Sequence, residues 1–94
     1  MDWNTIPEAL TLPLRLKILC LLTTQKRTFR ELKELTSATD GNISVQLSKL
    51  TEWNYVGSSK LPPEKKRSST VYEITQFGIH QLEEYVAFLQ NVIH

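Results

Sequence analysis

Residues 28–53 read TFRELKELTSATDGNISVQLSKLTEW. Thr28, with Glu31 three positions on, fits a capping box. In that motif the threonine hydroxyl and the glutamate carboxylate each satisfy an amide that the helix start leaves unpaired. The helix that follows is expected to bury Phe29, Leu32 and Leu35 and to expose Arg30, Lys33 and Glu34. Thr36-Ser37-Ala38-Thr39 then breaks it, because small hydroxyl side chains compete for backbone hydrogen bonds. A second helix begins at Thr39 or Asp40, both good N-caps, and runs to about Trp53. Ile43, Leu47 and Leu50 form its inner stripe at i, i+4 and i+7. Asn42, Val45, Ser48, Lys49 and Glu52 point away from that stripe, with Ser44 and Gln46 on its flanks. Asn54 follows the last turn, where a residue tolerant of the left-handed conformation is wanted.

Beyond this pair, Tyr55–Lys60 and Thr70–Ile74 are short, contain β-formers and are bounded by turn-type residues. Leu61-Pro62-Pro63 cannot continue a ladder, since proline lacks the donor. The two strands are therefore expected to form a hairpin with a long basic tip, Lys65, Lys66 and Arg67 followed by Ser68, Ser69 and Thr70. Thr75 caps a final helix. Upstream, Leu12 or Pro13 to Thr23 is apolar almost all round, interrupted only by Arg15 and Lys17, and is expected to be the central buried helix. Cys20 lies among its leucines as an inert core thiol. Trp3 to Leu10 reads as a shorter helix with Pro7 in its first turn, and Gln25 to Thr28 as a polar connection with room for a brief strand. In order, these parts give an α+β fold, mostly α: a winged helix-turn-helix with a two- or three-stranded β-wing and a C-terminal dimerisation helix. The helix-turn-helix falls at about 28–53, the wing at about 55–74 and the last helix at about 75–92, in one domain spanning 1–94.

A chain of 94 residues, 40% hydrophobic and 22% charged, suits one soluble domain with a modest core and is too short for a reader plus a separate sensor. The run Ile18 to Leu22 is far too short for a bilayer, and Met1-Asp2-Trp3-Asn4 lacks the start of a signal peptide. A single cysteine suits a reducing compartment, so a cytoplasmic location is expected. His80, His94 and Cys20 give no zinc spacing, and neither a catalytic triad nor a glycine-rich phosphate loop is legible. No enzyme, metal or cofactor is expected. Net charge is +1, yet Lys60, Lys65, Lys66 and Arg67 face only Glu64 within their stretch, while Glu83 and Glu84 are the only charges after Thr75. A near-neutral total thus hides a basic edge, and a phosphate backbone feels the edge.

A helix entering the major groove needs a non-apolar outer face and short side chains near its N-terminus. Asn42, Ser44, Val45, Gln46, Ser48 and Lys49 meet that description. Asn42 and Gln46 suit adenine, Val45 suits a thymine methyl, and Lys49 suits guanine or phosphate. Asp40 stabilises its helix but repels phosphate unless its carboxylate folds back onto the helix amides. A solvated helix face accounts for these residues equally well when they are taken alone. A hairpin tip with Lys65, Lys66, Arg67 and Ser68 beside them tips the balance, because a wing lies along the backbone or dips into the minor groove. Lys60 and Arg30 add sequence-independent charge to that surface.

From Arg15 through Thr75 and into the last helix, the chain resembles the compact winged-helix regulators related to MarR-like and ArsR-like proteins. The resemblance rests on Arg15-Leu16-Lys17-Ile18-Leu19, Thr28-Phe29-Arg30-Glu31-Leu32, Thr39-Asp40-Gly41-Asn42-Ile43-Ser44, Leu47-Ser48-Lys49-Leu50, Tyr55-Val56, Thr70-Val71-Tyr72-Glu73-Ile74-Thr75 and Gly78. Asn54 stands where that family has glycine, and the wing is rich in Lys and Ser where the family carries an Arg-x-Arg-Thr step. The resemblance implies a homodimer through the terminal helices. The last helix supports it, since Ile79, Leu82, Tyr85, Val86, Phe88, Leu89, Val92 and Ile93 cover about half its circumference, more than the roughly one-third stripe of an ordinary surface helix. Trp3 and Ile6 are expected to join that interface.

The expected function is sequence-specific binding of double-stranded DNA by a homodimeric transcriptional regulator, a repressor that occludes a promoter. The competing expectation is a winged helix used for protein–protein interaction without DNA, since fold alone does not imply function. Salt-sensitive retention on heparin or DNA separates the two. Neither a membrane nor a metal is an expected partner.

Overall fold

Among the described residues, three of the four α-helices start on a threonine, and the same bond starts those three. The computed structural model describes residues 1–60 and 70–93. Helices α1 (Pro13–Leu22), α2 (Phe29–Thr36), α3 (Asp40–Glu52) and α4 (Gln76–Val92) alternate with strands β1 (Arg27–Thr28), β2 (Val56–Lys60) and β3 (Thr70–Ile74). The Oγ1 atoms of Thr28, Thr39 and Thr75 accept the amides of Glu31 at 3.1 Å, Asn42 at 3.2 Å and Gly78 at 2.9 Å. Each such cap is worth ~1 kcal/mol. At Thr28 the capping box is complete, the Glu31 carboxylate accepting the Thr28 amide at 2.8 Å. That backbone bond, and then the Thr28 hydroxyl, hold the Glu31 carboxyl below the usual carboxylate range. Helix α1 instead starts on Pro13, whose missing N–H costs nothing there.

The strands form one antiparallel sheet in the order β1-β3-β2, with Arg27 opposite Tyr72 and the hairpin in register from Val56–Ile74 to Lys60–Thr70. Helix α1 packs on α2, α3 and β3, and Ile18, Leu19, Leu32, Ile43, Leu47 and Leu50 are wholly buried around it. Asn54 takes φ 65°, as its position requires. The Tyr55 amide bonds the Leu50 carbonyl at 2.9 Å and the Asn54 amide bonds Thr51 at 3.0 Å, the two bonds of a Schellman ending.

Four expectations are corrected. The N-terminal segment is a bend and a 3₁₀ turn (Glu8–Leu10), not a helix from Trp3, because Pro7 bars Ile6 from helical geometry and donates no amide. Leu35 is half exposed, and Thr36 takes the inner place, its hydroxyl donating to the Leu32 carbonyl at 2.7 Å. Cys20 is exposed rather than a core thiol. Arg15, read as an interruption of α1, is buried. It shares the i, i+3, i+4, i+7 stripe with Ile18, Leu19 and Leu22, and those spacings rather than hydropathy decide which side faces inward.

Candidate nucleic-acid interface

Helix α3 stands on the core by Ile43, Leu47 and Leu50, and its opposite face is open. Asn42, Val45, Ser48 and Lys49 are exposed along it and Ser44 is half-buried. Val45 is a large apolar side chain left half in solvent among small polar neighbours, a placement that suits a methyl contact. Gln46 departs from expectation. It is only 7% exposed, its Oε1 accepts from Arg15 Nη1 at 2.9 Å and its Nε2 donates to Asn42 Oδ1 at 3.3 Å. It is therefore not a free base-reading side chain. Its residue spacing of three from Ile43 and four from Leu50 explains why the flank turned inward.

Asp40 does not fold back onto its own helix. Thr39 supplies the cap, and the Asp40 carboxylate meets Lys33 Nζ at 3.2 Å, which offsets its repulsion for an anion nearby. Arg30 is exposed on α2 but its Nε lies 3.2 Å from Glu34, and Lys26 pairs with Glu73 at 3.3 Å. Lys60, at the outer end of β2, donates to Thr70 Oγ1 at 2.7 Å across the hairpin. Lys65, Lys66, Arg67 and Ser68 lie outside the described residues. Lys49 is thus the exposed cation on the outer face of α3 for which no carboxylate lies in ion-pair reach among the described residues.

The residues expected at a dimer interface divide in two. Leu82 is buried in its own chain's core, and Ile6 and Tyr85 pack against that core, so the expectation for Leu82 is corrected: its place on the inner side of α4 commits it to the fold. Trp3 is 65% exposed and meets Phe88 edge-on at 4.8 Å. Leu89 and Val92, with Val86 and Ile93, extend an exposed apolar band along α4. Arg15 went unrecognised as part of the site, although its spacing from Ile18 and Leu22 carried the signal. Among the described residues no three His, Cys, Asp or Glu side chains gather to hold a metal, and no helix is long and apolar enough to cross a membrane.

The family described as the winged helix DNA-binding domain matches residues 14–93. The chain belongs to this family. Among solved structures, this winged-helix chain is 30% identical to a transcriptional regulator homologue from Pyrococcus horikoshii OT3, with a TM-score of 0.75 over 86% of this chain and 80% of that one. The protein Rv0081 of M. tuberculosis superposes with a TM-score of 0.79 at 24% identity, over 92% of this chain and 83% of that one. The transcriptional regulator BldR of Sulfolobus solfataricus gives 0.71 at 24% identity, over 85% of this chain. The winged-helix chain spans only 56% of BldR's length. No curated protein matches it by sequence. The family and the Pyrococcus horikoshii neighbour agree with the winged-helix regulator likeness read from the sequence.

Proposed function

We propose that this chain binds double-stranded DNA sequence-specifically as a homodimer and represses transcription by occluding a promoter. The observation that carries the reading is the outer face of α3. It is rigidly mounted on three wholly buried residues and presents Asn42, Val45, Ser48 and Lys49 to the outside. One such face offers few contacts, and each good base pairing discriminates by only about 1–3 kcal/mol. Doubling through the apolar band of α4 supplies the remainder, with Trp3, Phe88, Leu89 and Val92 covered by a second copy. The cations Arg30, Lys60, Lys65, Lys66 and Arg67, with Ser68, serve the phosphate backbone in this reading. Selection of bound duplexes from a random pool tests it. The expected result is a pseudo-palindrome with half-site centres about 34 Å apart, one helical turn. Recovery of no sequence, or of a single unrepeated half-site from a protein that sediments as a monomer, overturns it.

A further inference from the structure

Helix α3 has two flanks, and each shares a cleft with a different neighbour. At ~100° per residue, Asn42 and Ser48 stand about 120° apart around the helix, with Val45 midway between them. On one flank Ser48, Thr51 and Glu52 line a cleft with Ser58 of β2 and Tyr72 of β3, the two wing strands. On the other, Asn42 lines a cleft with Thr36 and Ala38 around the turn and with Pro13, Leu14 and Lys17 of α1. The two clefts differ in charge. Glu52 stands in the wing-side cleft, whereas the α1-side cleft holds Lys17 and no acid. Lys17 is exposed, and no carboxylate lies in ion-pair reach of it among the described residues. Asp40, two positions before Asn42, is already matched by Lys33 at 3.2 Å.

A helix laid in a major groove about 12 Å wide has a sugar–phosphate strand along each of its flanks. Resting on the DNA-binding reading above, we propose that Lys17 anchors the strand on the Asn42 flank by meeting one of its phosphates, opposite the strand on the β2–β3 flank. Val45 then faces the groove floor, with a cation of α1 on one side and Lys60 of β2 on the other. A lysine suits the task, because its compact charge on a flexible stem meets a phosphate without demanding one geometry. Phosphate contacts fix the register of a reader and carry no sequence information of their own. Lys17 therefore sets how firmly α3 is seated, and the outer face of α3 keeps the choice of base.

Lys17→Gln removes the charge and keeps most of the stem, so the cleft stays filled. Binding of the selected duplex by native chain and variant, titrated between 50 and 200 mM salt, reads the loss. Losing one phosphate contact lowers the slope of log affinity against log salt by about 0.9 per bound copy. The same rise in salt then weakens the variant about threefold less per copy than the native chain. The preferred sequence and the Tm are unchanged, and Lys17→Arg restores the slope. A Lys17→Gln slope equal to the native one overturns the inference. So does a Lys17→Arg slope as low as that of Lys17→Gln, since packing rather than charge would then have been lost. Duplexes carrying one uncharged methylphosphonate at a time locate the contact. Phosphates whose neutralisation weakens the native chain but not Lys17→Gln fall on one strand of each half-site, and those silenced in Lys60→Gln fall on the other. Both sets on the same strand overturn the placement of Lys17. A native chain that binds no duplex overturns the DNA-binding reading itself, whereas native chain and Lys17→Gln binding alike at every salt concentration overturn the anchor alone.

Discussion

Gly78 sits in the first turn of α4 where that helix crosses the end of the α3–β2 turn, and replacing it with alanine is a sharp test of the packing described above. A Cβ at this position would lie 2.5 Å from the Tyr55 carbonyl oxygen and 2.9 Å from Ile74 Cγ1, whereas ordinary contact begins near 3.4 Å. The carbonyl cannot step aside cheaply, because it accepts the Thr75 amide at 2.9 Å and the Thr75 hydroxyl at 3.2 Å. The helix must instead withdraw by roughly 1 Å, loosening Leu82 from the core. Overpacking of this kind costs about 1–3 kcal/mol, and a clash with backbone belongs at the upper end. Against it stands a gain of about 1 kcal/mol from exchanging glycine for alanine in a helix. The net expectation for Gly78→Ala is a loss of roughly 2 kcal/mol, or about 8–16 °C in Tm for a domain of this size. Gly41→Ala is the matched control. Nothing lies within 4 Å of its would-be Cβ, so only the propensity gain remains and stability should hold or rise. Thermal and urea unfolding of the three proteins side by side measure both. If Gly78→Ala were as stable as the native chain, the close approach of α4 to Tyr55 would be wrong.

Thr28→Ala should cost ~1 kcal/mol at neutral pH by urea titration. Glu31's folded-state pKa is lowered, so its share of stability is present above the ordinary carboxylate pKa and is lost as pH falls through the lowered one. The gap between native and Thr28→Ala should therefore narrow in acid, and a gap that widened would refute the capping box. Arg15→Ala leaves Gln46 Oε1 and the Glu8 carbonyl without their buried donor, and should cost about 3 kcal/mol; a loss below 1 kcal/mol would show that water replaces the guanidinium. Lys49→Ala should lower duplex affinity and reduce the slope of log affinity against log salt by about one unit, with no change in Tm.

Where local chemistry decided structure, the sequence was readable. Thr28, Thr39 and Thr75 start helices because a hydroxyl reaches its N3 amide across fixed geometry, and nothing distant can alter that. Asn54 was legible for the same reason. Apart from the N-terminal segment, where Pro7 bars a helix from Trp3, the misreadings involve which side of a helix faces inward. Arg15 and Cys20 exchanged the places that hydropathy gives them, since α1 is apolar nearly all round and its orientation is chosen by partners on α2, α3 and β3. Leu35 and Thr36 exchanged places likewise, in a helix too short for its stripe to be unambiguous. Gln46 stands at core spacing from Ile43 and Leu50, and Arg15 supplies the buried partner that lets an amide occupy that place.

Charge bears on the same question of doubling. Lys26, Arg30 and Lys33 are each tied to a carboxylate of the same chain, so α2 and the turn before β1 offer phosphate less net charge than their composition suggests. These pairs are exposed and individually worth little, and a phosphate can displace the carboxylate, but only by leaving Glu34, Glu73 or Asp40 near the duplex. In the proposed DNA-binding reading, non-specific affinity from one copy is correspondingly modest, with Lys17, Lys49 and Lys60 the exposed lysines that no carboxylate pairs among the described residues. In that reading specificity is modest too, because Gln46 is withdrawn into the core, 7% exposed and bonded to Arg15. Both deficits are remedied at once if the apolar band from Trp3 to Val92 joins two copies, since linked readers add their binding free energies and gain the effective concentration of one half-site for the other. In the proposed DNA-binding reading, the described outer face of α3 in one copy offers only Asn42, Val45, Ser48 and Lys49, and since even a good bidentate base contact discriminates by about 1–3 kcal/mol, a second copy is what carries the sum well into the usual gap of about 4–10 kcal/mol between specific and non-specific binding.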